Sequence, residues 1–369
     1  MKLWIIWAWC SLTLFITAHA ADTEEQQKLN TAVEALTRMD RATHDAKPAI
    51  QAAVQRVLAK TRGTPNFVRL VRHFAITNQN AGLLEVAAIL PAEESGVEAV
   101  RLVLASGDAK SVQDALQSTN AARLAEALGH AQEKQAVPWL TPLVADDARD
   151  AATKRHAVRA LAQTQDGAKA LLALAREDKL PENLKFIAAS ELNAARWPAI
   201  QTEAAIILPL PAGQNSQPLP PVSELIKMKG DIAKGAEVYR RDTTGCAKCH
   251  QVRGEGRDLG PALSEIGTKL PKEALYEAIL DPSAGISFGF EAWQVELKSG
   301  DEAFGIKASE TADEVAIKDA NGIITRHPRA AIASLRQMKT SMMPAGLQMT
   351  MTQQELVDLV EYLASLKRQ

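Results

Sequence analysis

A chain of 369 residues exceeds one ordinary domain, and only 4% of it is aromatic while alanine and leucine dominate, a balance that favours packed helices over β-sandwiches. Its 42 basic and 44 acidic side chains leave a formal charge of −2, which argues against a nucleic-acid binder with its basic face. Three cysteines are too few to staple so long a chain.

The chain opens MKLWIIWAWCSLTLFITAHAAD. A basic Lys2, an apolar run from Leu3 to Thr17 and the small-residue site Ala18-His19-Ala20 predict a secretory signal peptide over 1–20, cut after Ala20. An uncleaved anchor is the competing reading, but the run is shorter than the ~20 residues of a membrane span. The mature protein is expected in the periplasm or otherwise exported, with no transmembrane segment after cleavage. Cys10 leaves with the signal, so Cys246 and Cys249 remain. Three positions apart, they would close a disulfide loop too small to matter entropically, so the pair implies chemistry.

Residues 22–208 are helical in pattern almost throughout. The segments RLAEALGHAQEKQAVPWLTPLV (123–144), RHAVRALAQTQDGAKALLALA (155–175) and KFIAASELNAARWPAIQTEAAIIL (185–208) each read as an amphipathic helix, a polar or Gly/Pro break, and a second apolar helix. Leu128, Leu161 and Leu192 fall at matching places. The stretch resembles short HEAT-like repeats, in which one helix pair cannot bury its face without its neighbours. An irregular α-bundle is the alternative, since alanine-rich helices align readily. His44, His73, His130 and His156 have no companions at ligand spacing and read as surface or capping residues. The proline-rich stretch LPLPAGQNSQPLPP follows, and 209–221 is predicted to be a semi-extended linker.

Beyond it, DIAKGAEVY predicts a helix with Gly235 and Tyr239 on one face, and TTGCAKCHQVRGEG raises three readings of Cys246-Ala247-Lys248-Cys249-His250. A thioredoxin-like dithiol should sit between a strand and a long helix, and here a helix precedes it and a Gly/Arg-rich loop follows. A zinc site needs a second ligand pair, and the region offers only His327. Covalent haem attachment needs only what is present: two thiols for the two vinyl groups and an adjacent histidine as proximal iron ligand. Such a histidine needs its Nδ1–H held by an acceptor, and Gly260-Pro261 follows in DLGPAL.

From 290 to 327, FEAWQVELKSGDEAFGIKASETADEVAIKDANGIITRHP alternates apolar and polar residues between Ser-Gly-Asp and Asn-Gly breaks. It predicts a β-hairpin insertion of three or four short antiparallel strands, with Trp293 and Phe304 as its small core and His327 in a surface or turn position. KTSMMPAGLQM then supplies a Met-Pro pair suited to a sixth iron ligand. Met343 is the candidate and Met342 its rival, while Met338, Met349 and Met351 read as packing. In the last helix, Thr352 and Glu355 form a capping box, and Leu359 and Tyr362 share a face that Gly235 would let approach the first helix closely.

The segments GAEVYRRDTTGCAKCHQV, LGPALSEIG, ILDPSAGISFGFEAW and SMMPAGLQMTMTQQELVDLVEYLASL, in that order, resemble the haem-binding c-type cytochrome domains of planctomycete and verrucomicrobial secreted proteins. The resemblance covers about 222–369. It implies a class I-like cytochrome c fold carrying the β insertion, preceded as in many relatives by a HEAT-like region. It also implies the Pro261 carbonyl, next to Gly260, as acceptor for His250, because small cytochromes c place a Gly-Pro there. The β-propeller dehydrogenase of many relatives is missing from this chain.

The expected whole is thus mainly α. It is an exported monohaem c-type cytochrome with haem c covalently held by Cys246 and Cys249. His250 and Met343 ligate iron, and Gly260, Pro261, Tyr239 and Tyr362 support them. It would relay single electrons to or from a periplasmic protein, a dehydrogenase or another cytochrome, as a carrier rather than a catalyst. Lys227, Lys229, Lys234, Lys248 and Lys339 would steer an acidic partner or form a solvated face. Two alternatives stay open: a gas sensor or peroxidase with an open iron site, and a protein-binding helical scaffold with an accessory haem.

Overall fold

The computed structural model describes residues 25–210, 219–241 and 244–368, so the signal segment and most of the linker lie outside the described residues. The chain packs as two compact units that divide between Ala127 and Leu128.

The first unit is helical wherever it is described. Its helices start where local chemistry favours a start. Pro48–Lys60 and Pro65–Phe74 carry proline in the first turn, where the missing N–H costs nothing. Asp40 caps Arg41–Ala46 by accepting the Thr43 amide at 2.6 Å, and Asp108 caps Ala109–Leu116 through the Ser111 amide. Pro65–Phe74 buries Phe67, Val68, Leu70, Val71 and Phe74 on one stripe. Gly82 in Asn80–Ile89 lies so close to the Phe67 ring that a Cβ there would stand 2.4 Å from it.

The second unit begins with helices paired by short turns. Ala151–Ala162 packs on Glu182–Asn193, while Gln165–Arg176 packs on both Val137–Ala145 and Pro198–Ile207. Ala151–Ala162 packs most extensively on Val137–Ala145, the helix before it. Leu128, Leu161 and Leu192 are all buried. Asp150 caps one helix by accepting the Ala152 and Thr153 amides, and Thr164 caps the next through Gly167.

In the C-terminal region we label three helices and five strands. Helix α1 (Ile232–Arg240) crosses the last helix, α3 (Gln353–Ser365), and α2 (Lys272–Leu280) packs against α3. The crossing depends on Gly235, where a Cβ would sit 2.0 Å from the Asp358 carbonyl oxygen. One turn on, the rings of Tyr239 and Tyr362 meet at 5.8 Å between centroids. The Asp231 amide, just before α1, donates to the Asp358 carboxylate at 2.8 Å and fixes the register. Leu225, Val238, Tyr276, Met351, Leu356, Leu359 and Val360 complete this core.

The β insertion is larger than the sequence indicated. Five antiparallel strands, β1 (Ala292–Leu297), β2 (Glu302–Glu310), β3 (Glu314–Lys318), β4 (Ile324–Pro328) and β5 (Ile332–Gln337), form one sheet in the order β4-β3-β2-β1-β5. The unexpected strand is β5, which lies beyond Pro328 and returns to pair with β1. Trp293 and Phe304 do not share a core. Trp293 faces Gly305 across β1 and β2, one residue out of phase with Phe304, so the two aromatics lie on opposite faces. The Trp293 face holds Val295, Ala303, Val315 and Ile317, with Lys307 over the indole at 3.8 Å. His327 stands opposite Val315 and is only 7% exposed, a buried position where the sequence suggested a surface one.

Phe304 turns towards the paired helices. Arg196 lies 5.4 Å from its ring centroid and 4.2 Å from that of Trp197, and its guanidinium reaches the Glu302 carboxylate at 3.3 Å. Lys134 adds a second contact, its amide donating to Asp301 at 3.0 Å and its ammonium to the Ser299 carbonyl at 2.5 Å.

Candidate functional site

The site is built where α1 ends. Thr244 is buried and donates its hydroxyl to the carbonyls of Val238 and Arg241, closing α1 against the loop that follows. Gly245, in the left-handed region at φ 72°, turns the chain into a single 3₁₀ turn over Cys246–Lys248. The His250 amide donates back to the Cys246 carbonyl at 2.9 Å, so both thiols and the imidazole issue from one compact loop.

Both cysteines are free and half-buried, and burial raises their thiol pKa values, which keeps them protonated at neutral pH. Burial lowers the His250 pKa and favours the neutral ring, although its bond to Pro261 pulls the other way. Nδ1 lies 2.8 Å from the Pro261 carbonyl oxygen. An acceptor there requires the proton on Nδ1, which leaves the Nε2 lone pair available for a metal.

The rest of the loop holds this geometry. The Tyr239 hydroxyl donates to the His250 carbonyl at 2.7 Å, and burial pushes its own pKa up to about 12. The amides of Leu259 and Gly260 both donate to the Cys249 carbonyl, at 2.9 and 2.7 Å. A Cβ on Gly260 would stand 2.7 Å from Cε1 and 2.9 Å from Nδ1 of His250, so the glycine lets the backbone lie flat on the imidazole. Gly256, at φ 101°, comes closer still to the His250 carbonyl oxygen, 2.1 Å from where its Cβ would stand.

Met343 is half-buried and packs, with Cys246 and Ala247, against the core formed by α1, α2 and α3. Its amide donates to the Ser341 hydroxyl at 3.1 Å, and the Ser341 amide donates to the Ser283 hydroxyl at the same distance. Met342 is also half-buried. Met351 is fully packed, as expected of it, but Met349 is 56% exposed and belongs to no core.

The structure thus brings together Cys246, Cys249, His250, Gly260, Pro261 and Tyr239, with Tyr362 behind Tyr239. The sequence missed Thr244, Gly256 and Leu259. The three glycines of GEGRDLG hinted at close backbone approach, whereas nothing local marked Leu259. Of the lysines singled out from the sequence, Lys248 lines a cavity beside the motif, where three arginines join it. Arg240, Arg241, Arg257 and Lys248 line a cavity of about 340 Å³ with Ala320 and Asn321. Arg240 pairs with Glu255 at 3.0 Å and Arg241 with Glu355 at 2.6 Å, so much of the cavity's positive charge is balanced.

Crossed first and last helices thus enclose a C-x-x-C-H loop whose imidazole is held by a carbonyl. Residues 232–367 match the family model described as cytochrome c, and no curated protein matches the chain. The chain therefore has a C-terminal cytochrome c domain, which binds haem c, within a mainly helical molecule.

Proposed function

We propose that this protein is an exported monohaem cytochrome c with His250 and Met343 as axial ligands, relaying single electrons between periplasmic redox proteins. The observation that carries the reading is the 2.8 Å contact between His250 Nδ1 and the Pro261 carbonyl, beside two free thiols in the same turn. The residues fit the group they would hold. Cys246 and Cys249 would hold it through two thioethers, each formed by addition of a thiol across one vinyl double bond, and both cysteines are free for this. Haem c, once bound, supplies a one-electron couple.

The chain's own residues set that couple. The Pro261 carbonyl, by drawing on the Nδ1 proton, makes His250 a stronger donor and stabilises the oxidised state. A thioether from Met343 acts in the opposite direction and raises the potential. Met343 and Cys246 both pack against the core of this domain, and the loop tied through Ser341 and Ser283 carries the methionine, which supports it as the second ligand. With both axial positions filled there is no open site for a substrate, which favours a carrier over a sensor or peroxidase. In this reading the paired helices of the second unit form a HEAT-like array that positions the domain or docks a partner.

The test is a visible spectrum of the haem-loaded chain, oxidised and reduced, for wild type and Met343→Ala. A weak long-wavelength charge-transfer band in the oxidised wild type, lost in the variant together with a gain of carbon monoxide binding, supports His/Met ligation. A wild type that already binds carbon monoxide overturns it in favour of an open iron.

A further inference from the structure

The turn between β3 and β4 lies outside the cytochrome loop in sequence yet touches both that loop and the paired helices. Asp319 opens it. Its carboxylate oxygen Oδ1 accepts the amides of Asn321 and Ile323, each at 2.9 Å, and the Asp319 main chain bonds Ile323 and Gly322 at 3.0 Å. This is an Asx-type turn held at both ends. Gly305 of β2 allows the close packing behind it, since a Cβ there would stand 3.0 Å from the Asp319 Cα.

On one side the turn bears on the haem loop. Gly322, at φ 83°, presents its backbone to Leu259, whose Cδ1 would lie 3.8 Å from a Cβ at that position. Arg257 donates to the Asn321 carbonyl at 3.3 Å, and Lys318 donates to the Asp258 carbonyl. Leu259 is the residue before Gly260, which lies on the His250 ring, and two before Pro261, which holds Nδ1. On the other side, Gln132 from the paired-helix part of the same unit donates to Asp319 Oδ2 at 3.3 Å. Asp319 is only 7% exposed although it carries a carboxyl group. Buried acids are retained where their hydrogen bonds define a geometry.

We propose that Asp319 is a positioning residue for the proximal histidine: its turn braces Leu259 and so sets the Pro261–His250 hydrogen bond, and Gln132 ties that brace to the helices. The inference rests on the covalent-haem reading of Cys246, Cys249 and His250. Loosening the brace lengthens the Nδ1 hydrogen bond, weakens histidine donation and favours the reduced state.

The experiment measures the midpoint potential and visible spectrum of the full haem-loaded chain as wild type, Asp319→Ala, Asp319→Asn, Gln132→Ala and Lys134→Ala. In Asp319→Ala the ferrous-to-ferric ratio at fixed potential rises about threefold or more, an upward shift of about 30 mV at 59 mV per tenfold. Asp319→Asn keeps the Oδ1 acceptor but sets an NH2 group opposite the Gln132 donor, so it shifts no further than Gln132→Ala. Gln132→Ala moves the potential in the same direction by less. Lys134→Ala removes another contact between helices and sheet without touching the turn, and leaves the potential unchanged. A purely structural role would lower stability in these variants while leaving the haem-loaded potential alone. Wild-type potentials in both Asp319→Ala and Gln132→Ala overturn the proposal. If Asp319→Ala fails to mature, an unshifted Gln132→Ala overturns it. A wild-type chain that takes up no covalent haem overturns the parent reading instead, so the two failures are told apart.

Discussion

The imidazole of His250 is fixed from three directions. Gly260 covers the ring face, Pro261 accepts from Nδ1, and Tyr239 holds the main-chain carbonyl. A side chain at Gly260 would overlap Cε1 and Nδ1, so Gly260→Val must displace either the ring or the Pro261 backbone. The expected outcome is a haem-loaded protein that has lost its low-spin spectrum, or poor haem incorporation. Gly285→Ala is the matched control, because no atom lies within 4 Å of a Cβ placed there. An unchanged low-spin spectrum in Gly260→Val would show that the ring has room to move. At the same scale, Cys246→Ser and Cys249→Ser each remove one thioether. The double variant is expected to release its haem into acidified organic solvent, while wild type retains it.

Helix α3 begins with a reciprocal capping box that was legible in the sequence as Thr352 and Glu355, and it forms as read: Thr352 Oγ1 accepts the Glu355 amide and Glu355 Oε2 accepts the Thr352 amide. The structure adds Arg241, whose guanidinium bonds Glu355 at 2.6 Å and joins the end of α1 to the start of α3. That hydrogen bond holds the Glu355 carboxyl below its ordinary range. Stability from a lowered carboxyl pKa is present above the unfolded-state value and is lost as pH falls through the folded-state value. Urea midpoints of wild type and Glu355→Gln should therefore differ at neutral pH and converge in acid, whereas a constant gap would exclude the ionic contribution. Glu355→Ala removes one half of the box and is expected to cost about 1 kcal/mol at neutral pH. The α1–α3 crossing was equally legible, because a glycine and two aromatics at helical spacing carry their own geometry. Strand β5 and the separate faces of Trp293 and Phe304 were not. Both depend on register: β5 pairs with a strand far away in sequence, and Trp293 and Phe304 differ in parity through the connection between β1 and β2.

At the scale of the second unit, side chains from 128–208, before the stretch 209–221 read as a linker, reach the sheet at several points. Gln132 meets Asp319, Lys134 meets Asp301 and Ser299, and Arg196 meets Glu302 and Phe304. None of these residues forms a local motif, which is why periodicity and composition could not reveal them. Arg196 is the most exacting of the three. Burial opposes its charge, the nearby Glu302 carboxylate restores part of it, and two aromatic rings lie within 5.4 Å of its guanidinium. Truncating it removes a charge-assisted hydrogen bond and both ring contacts, and leaves Glu302 half-buried without that partner. A loss of about 2 kcal/mol follows. The more telling readout is cooperativity. In wild type the part of the helical signal that comes from the second unit and the haem absorbance of the loaded chain should report one urea transition, because paired helices, sheet and haem loop share contacts. In Arg196→Ala the two signals should separate, with part of the helical signal lost first. Coincident transitions in the variant would mean that the remaining contacts of Gln132 and Lys134 suffice to hold the helices to the sheet.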